Sequence, residues 1–108
     1  MARIGQLYLQ KGQWDGRPLV PARWVEESVV PRFQRDRDGY CYGRLWWMPP
    51  SGALRDTSAF IADGYGGQYI VVLPRWRTVG VMTGWNLERR PVSQVAFAQR
   101  VEKAVADR

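Results

Sequence analysis

The sequence contains no histidine and only one cysteine, Cys41. A Ser-His-Asp triad, a zinc cluster built from histidine and cysteine, and an internal disulfide framework are therefore excluded within this chain. No apolar run approaches the roughly 18 to 20 residues that a membrane span requires, and residues 1–9 lack the apolar core of a signal peptide. We therefore expect no metal site, no cofactor and no membrane contact, while the compartment stays open.

Lysine is also scarce, because fourteen arginines and two lysines oppose ten acidic residues and give a formal charge of +6. Such a charge would suit a polyanion if the basic groups lay on one face. They are instead spread along the chain, with short groups only at residues 32–37, 75–77 and 89–90. The distribution favours an ordinary solvated surface, and we expect no nucleic-acid partner.

The remaining composition is that of a folded domain, with 45% hydrophobic and 24% charged residues over 108 positions. This length predicts a single domain spanning residues 1–108. Apolar residues at helical spacing predict one helix in the first ten residues and another between Pro21 and Pro31, with an Asp15-Gly16 turn between them. The first helix has no capping side chain before it, which suggests that the chain starts within a longer element.

From residue 40 onward the apolar pattern changes to a period of two. Strands are predicted at residues 42–48, 59–65, 68–73 and 78–85, joined by turns too short for parallel crossovers. A final helix is predicted over residues 92–107, with Pro91 at its start and an apolar stripe formed by Phe97, Val101, Ala104 and Val105. The fold class is therefore α+β: three to four antiparallel strands, the C-terminal helix on one face and two short N-terminal helices near the other.

The most informative segment is the glycine cluster Gly64-Tyr65-Gly66-Gly67-Gln68. It is not a phosphate-binding loop, because Gly-Lys-Ser/Thr and a following helix are both missing. Two readings stay open: the glycines form only a hairpin turn, or they let a substrate approach backbone amides that stabilise an oxyanion. Tyr65 could donate to a ligand or simply pack. For the aromatic residues Tyr40, Tyr42, Trp46 and Trp47 the pattern favours core packing over a stacking platform, and for Cys41 a small buried thiol.

The order of several short motifs resembles the later part of the serine β-lactamase-like hydrolases, which include class C β-lactamases, DD-peptidases, related esterases and 6-aminohexanoate-dimer hydrolases. The Gly-Tyr-Gly-Gly-Gln version is most similar to the last of these branches. The matching segments are residues 1–9, 12–16, 20–25, 40–47, 60–69 and 79–84.

The resemblance implies that only the third of the family's three motifs is present. Its Lys-Thr-Gly or His-x-Gly triplet corresponds to Tyr65-Gly66-Gly67, and a backbone amide near Gly67 or Gln68 would be one oxyanion donor. The implied substrate-binding residues are therefore Tyr65, Gly66, Gly67 and Gln68. Tyrosine replaces the usual cation, which argues against recognition of a carboxylate of the penicillin kind.

The Ser-x-x-Lys nucleophile motif and the Tyr-x-Asn motif are both absent, so no catalytic residue is expected in this chain. We expect the carboxy-terminal portion of a longer hydrolase of amide, ester or β-lactam bonds, inactive alone and binding its small-molecule substrate only in the full-length protein. The strand from Thr78 to Trp85 would then be a bare edge that supports a homodimer. The alternatives are a stand-alone binding module without catalysis and, less favoured, a basic nucleic-acid-binding domain.

Overall fold

A computed structural model describes residues 1–84 and 91–107 as three helices and two antiparallel sheets. The α+β fold class is therefore confirmed. The described strands form a two-stranded hairpin, β1-β2, and a six-stranded antiparallel sheet. The spatial order of the six-stranded sheet is β3-β4-β5-β6-β7-β8. The elements are α1 (Ala2–Leu9), β1 (Gln13–Trp14), β2 (Arg17–Pro18), α2 (Ala22–Ser28), β3 (Phe33–Gln34), β4 (Cys41–Tyr42), β5 (Trp47–Met48), β6 (Phe60–Gly64), β7 (Gln68–Leu73), a 3-10 turn (Pro74–Trp76), β8 (Thr78–Met82) and α3 (Gln94–Ala106).

The main sheet has six described strands, so the prediction of three to four strands is wrong. Residues 42–48, predicted as one strand, form parts of β4 and β5, and β3 lies in a segment where no strand was predicted. The chain reverses between β4 and β5, where the Gly43 N–H donates to the Trp46 carbonyl over 2.9 Å and Leu45 has a φ of 69°. Residues with positive φ in turns are usually glycine or asparagine. Because Leu45 occupies this position within an aromatic segment, no turn was indicated by the sequence.

Both faces of the sheet are covered, as the continuous apolar runs of β7 and β8 predict. On one face α1 packs closely, because a Cβ at Gly5 would lie 2.6 Å from a methyl group of Val79 and 2.9 Å from one of Ile70. On the other face α3 packs in the same way, with Val101 directly over Gly80. The strand between these layers, β7, is buried from Tyr69 to Leu73.

The inward face of α3 is more polar than its sequence suggests. Ser93 caps the helix by accepting a hydrogen bond from the Ala96 N–H, so α3 begins at Gln94 rather than at residue 92. In the predicted stripe, Phe97 and Val101 pack against the core, but Ala104 is exposed. The most buried positions of α3 are instead Gln94, Ala98 and Glu102, which are spaced four residues apart and so lie on one face of the helix.

Two buried carboxylates hold α3 to the loop before β6 and to the 3-10 turn. Glu102 accepts hydrogen bonds from the N–H groups of Arg55 and Asp56, each over 2.8 Å, and from the Trp76 indole over 3.2 Å. Asp56 in turn accepts from the N–H groups of Ser58 and Arg75 over 2.9 and 2.8 Å. Residues 51–57, where no helix or strand was predicted, therefore contain a buried anchor of the fold.

Strand β8 is the terminal strand of the main sheet and is paired with β7 along residues 78–82. Within the described ranges, no strand pairs with its outer side; Trp85, the end of the predicted edge strand, lies outside the described residues. An edge of this kind pairs readily with another strand. The homodimer through this edge stays a prediction: sedimentation velocity should show a coefficient that rises with protein concentration, and a concentration-independent monomer would contradict it.

Candidate functional site

The glycine cluster forms the tight hairpin between β6 and β7. Gly64 is paired with Gln68 across the hairpin, and the three residues Tyr65, Gly66 and Gly67 reverse the chain. Gly66 and Gly67 have φ angles of 91° and 73°, which L-residues with a Cβ rarely adopt. The Gly67 N–H donates to the Gly64 carbonyl over 3.2 Å. The glycines are therefore required by the turn itself, whatever else they do.

The four residues implied by the family resemblance lie next to one another but differ in exposure. Tyr65 is 83% exposed at the tip of the hairpin, whereas Gly66 is buried and Gln68 is half-buried. The Gln68 side chain folds back on the turn, with its Nε2 donating to the Tyr65 carbonyl over 3.4 Å. Of the two readings for Tyr65, packing into a core is not observed. Its role toward a ligand stays a prediction.

A cavity of about 330 Å³ lies beside this hairpin. This volume is at the lower end of the range for small-molecule sites. Its lining combines the polar residues Asp63, Tyr65 and Gln68 with apolar residues. The lining residues are Met1, Leu45, Ala62, Asp63, Gly64, Tyr65, Gln68 and Ile70. The hairpin residues therefore border a space in which a small substrate can lie.

On the face of the sheet opposite this cavity, Asp63, Tyr69 and Gln94 form a polar cluster that was not predicted from the sequence. Gln94 of α3 donates from Nε2 to a carboxylate oxygen of Asp63 over 3.0 Å. Partial burial raises the pKa of Asp63, and the positive charge of Arg35 opposes that rise. Tyr69, opposite Asp63 in the ladder, donates its hydroxyl to the Val92 carbonyl over 2.7 Å. Burial and the nearby Asp63 charge raise the pKa of Tyr69.

Arg35 joins that cluster to the aromatic residues of β4 and β5. Its guanidinium carbon lies 4.6 Å from the Trp47 ring centroid and 5.3 Å from that of Tyr40, and the group pairs with Asp38 over 2.8 Å. The Asp38 hydrogen bond raises the pKa of Arg35, and the Arg35 hydrogen bond in turn lowers the pKa of Asp38. The only sequence signal for this arrangement was the short group of arginines before β4.

Tyr40, Trp46 and Trp47 pack in or against the core, as favoured from the sequence, whereas Tyr42 is half-buried and packs on Trp47. Tyr40 and Trp46 are buried, and the Trp46 ring packs edge-on against Phe60 with centroids 4.9 Å apart. Cys41, expected to be buried, is half-buried and lines a separate cavity of about 460 Å³ between β4 and the loop before β6. The difference arises because β4 is a two-residue strand near the edge of the sheet, where cover is incomplete.

Among the described residues, no group of three or more histidine, cysteine, aspartate or glutamate side chains is arranged to hold a metal ion. Across the same residues, no helix has the length and apolar character needed to cross a membrane.

Similarity to known proteins is found among solved structures. No family model matches this sequence, and no curated protein matches it either. Among solved structures, the chain is similar to one from Bacillus anthracis assigned as a 6-aminohexanoate-dimer hydrolase. The identity is 27% over 74% of this chain, and the TM-score is 0.56. The chain spans only 21% of the length of that structure. The similarity indicates a hydrolase-related fold.

Proposed function

We propose that this chain forms the oxyanion side of the substrate cleft in a β-lactamase-related serine hydrolase that cleaves amide, ester or β-lactam bonds. The observation that carries the proposal is the exposed Tyr65 on a glycine hairpin beside a cavity, in a chain similar to a hydrolase structure. The attacking serine and its base would come from the part of such a hydrolase that this chain does not contain.

The hairpin suits the binding of a carbonyl group. Acyl transfer builds negative charge on the carbonyl oxygen, which backbone N–H groups stabilise when they are held rigidly. The oxyanion donor would be a backbone amide near Gly67 or Gln68; in the free protein the Gly67 N–H donates to the Gly64 carbonyl. The Tyr65 hydroxyl is a neutral donor where relatives carry a cation. This favours substrates whose neighbouring group is uncharged over those with a carboxylate.

The serines of the chain do not supply a nucleophile. Ser28 is buried and donates its hydroxyl to the Trp24 carbonyl over 2.7 Å, and Ser93 caps α3. The Ser58 hydroxyl donates to the carboxylate of Asp56. None of the serines is followed three positions later by a lysine. A triad-type mechanism needs a nucleophile and a base in contact, so this chain alone is expected to be inactive.

This inactivity has a direct measurement. Purified protein incubated with a fluorophosphonate probe is expected to keep its unmodified mass, and p-nitrophenyl acetate is expected to hydrolyse at the rate seen in buffer. The control is a complete serine hydrolase, labelled in the same experiment. A covalent adduct on any side chain of this polypeptide would contradict the proposal.

Binding is tested separately from turnover. Productive substrate binding is expected only in the full-length protein, but the hairpin itself can be probed with an uncharged amide at millimolar concentration. In a titration with N-methylhexanamide, followed by ¹H–¹⁵N correlation spectra, the largest shifts are expected at the Gly66, Gly67 and Gln68 amides. Tyr65→Phe removes one hydrogen-bond donor and should weaken binding about threefold to tenfold. The half-buried Tyr42 provides the matched control, since Tyr42→Phe should leave the affinity unchanged. Shifts elsewhere, or equal effects of the two substitutions, would contradict the assignment.

A further inference from the structure

The polar cluster between β6 and α3 contains one buried atom without a hydrogen bond. Gln94, the first residue of α3, is 9% exposed, and its Nε2 donates to Oδ2 of Asp63 over 3.0 Å. Its Oε1 is buried and has no partner, and it is the one such side-chain atom within residues 1–84 and 91–107. A buried acceptor without a donor is unfavourable, because it has given up its hydrogen bonds to water. Gln94 therefore uses the donor side of its amide and leaves the acceptor side unsatisfied.

The groups around Asp63 do not supply the missing donor. Arg35 pairs with Asp38 over 2.8 Å, Tyr69 donates its hydroxyl to the carbonyl of residue 92, and residues 94–99 of α3 include no charged side chain. The charged or titratable groups that interact with Asp63, directly or through Arg35, are Arg35 and Asp38 of the segment after β3, Tyr40 before β4 and Tyr69 of β7. The Asp63 carboxyl group is thus the one ionisable group hydrogen-bonded to the Gln94 amide in the described ranges.

A proton on Asp63 would supply the donor. A carboxylate only accepts hydrogen bonds, whereas a carboxylic acid also donates through its O–H. A planar acid and a planar amide can then form two hydrogen bonds side by side. The one from Gln94 Nε2 to Asp63 Oδ2 is already present, and the second would run from the protonated Oδ1 of Asp63 to Gln94 Oε1. The proton comes from solvent, to which Asp63 is exposed.

We propose that Asp63 and Gln94 form a proton-dependent latch that fastens the first turn of α3 to β6 more tightly at acidic pH. Two hydrogen bonds close the latch when Asp63 is protonated, and one remains when it is ionised. The latch lies directly before the Gly64 to Gln68 hairpin, so acid tightens the base of that hairpin. The inference stands on this contact alone and does not require the proposed function.

The direction of the pH dependence follows from the same group. Partial burial raises the pKa of Asp63 and outweighs the positive charge of Arg35, which lowers it. The stabilisation is therefore complete below the pKa of an unfolded aspartate, about 3.9, and is lost as the pH rises through the higher folded value.

The effect of Gln94 on the pKa of Asp63 tests the latch by its sign. Carbon-detected NMR of the carboxyl groups gives this pKa in the wild type and in Gln94→Met, which has a side chain of similar length. Under the latch, Gln94 stabilises the neutral acid more than the carboxylate, so Gln94→Met should weaken proton binding at Asp63 about threefold. If Gln94 served only as a donor to the carboxylate, the same variant would strengthen proton binding, and this result or an unchanged pKa would overturn the proposal. Gln99→Met is the matched control, because Gln99 bonds to the Ala53 carbonyl instead.

A second variant tests the latch without removing Gln94. Asp63→Asn places a permanent N–H donor opposite Gln94 Oε1, so its melting temperature should exceed that of the wild type by about 4 °C at pH 7. The difference should fall below about 1 °C at pH 3, where the wild type is itself protonated. Asp36→Asn removes the same charge from an exposed side chain and should have little effect at either pH. A lower melting temperature of Asp63→Asn at pH 7, or a gain that persists at pH 3, would contradict the latch.

Discussion

Replacing Glu102 by alanine is expected to lower the free energy of unfolding by about 3 to 5 kcal/mol. Glu102 is 6% exposed, and its carboxylate accepts hydrogen bonds from two backbone N–H groups and one indole. Alanine would leave these three donors buried without a partner and would also open a cavity under α3. The loss is a large share of the stability of a small domain, which is typically about 5 to 15 kcal/mol.

Urea denaturation followed by circular dichroism measures this loss. Lys103→Ala serves as the matched control, since Lys103 is the next residue of the same helix and is exposed. Its effect should be within about 0.5 kcal/mol. Similar midpoints for the two variants would show that the Glu102 hydrogen bonds contribute no more than a surface side chain.

The same carboxylate should make stability depend on pH. Burial acts to raise the pKa of Glu102, but the hydrogen bonds from Arg55, Asp56 and Trp76 outweigh it and hold the pKa below its usual range. A group whose pKa is lowered in the folded state stabilises the fold fully above its unfolded pKa, about 4.3 for glutamate. That stabilisation is lost as the pH falls through the lower folded value. The stability of Glu102→Ala should therefore change less between pH 5 and pH 3 than that of the wild type.

The central part of the fold was predictable because its determinants are local. Strand β7 is an almost continuous apolar run, β6 and β8 are largely apolar, and tight turns separate the three. Asp15-Gly16 specifies the β1–β2 turn by its own backbone preferences. The strands β3, β4 and β5 are two residues long and depend on contacts with distant residues, as between Arg44 and Ser28. No periodic pattern can develop in two residues, so the strand number was underestimated.

The Glu102 network escaped prediction for a related reason. A glutamate near the end of an amphipathic helix is normally predicted to lie on the surface, because charged side chains are rarely buried without partners. Its partners lie 46 and 47 positions earlier in the chain, and they are backbone groups that leave no mark in the sequence. Only the folded arrangement brings the three together.

The hairpin that carries the candidate site was predictable, whereas the cavity beside it was not. The glycine cluster identified the hairpin, and the resemblance supplied the expected roles of Tyr65 and Gln68. Leu45, in contrast, lies about twenty positions earlier and carried no signal, because a leucine with positive φ cannot be recognised from its neighbours. The apolar lining residues Met1, Leu45, Ala62 and Ile70 come from four separate parts of the chain, which share no motif.

Gly12→Ala is expected to lower the free energy of unfolding by about 3 to 4 kcal/mol. Gly12 ends the reversal after α1 with a φ of 87°, and its N–H donates to the Leu7 carbonyl over 2.8 Å. A Cβ at this position would lie 2.0 Å from the Val20 carbonyl oxygen, which is backbone and cannot rotate away. Alanine would therefore add a clash to the cost of the left-handed conformation, and it would displace α1 from the face of the sheet that it covers.

Gly16→Ala separates these two contributions. Gly16 also has a positive φ, 75°, but a Cβ there would meet nothing within 4 Å. Only the conformational cost remains, so this variant should lose about 1 kcal/mol. Thermal melts of the two variants should therefore differ by roughly 8 to 12 °C for a domain of this size. Equal melting temperatures would mean that the Val20 carbonyl moves freely, and that the packing of α1 against the sheet does not depend on the close contact at Gly12.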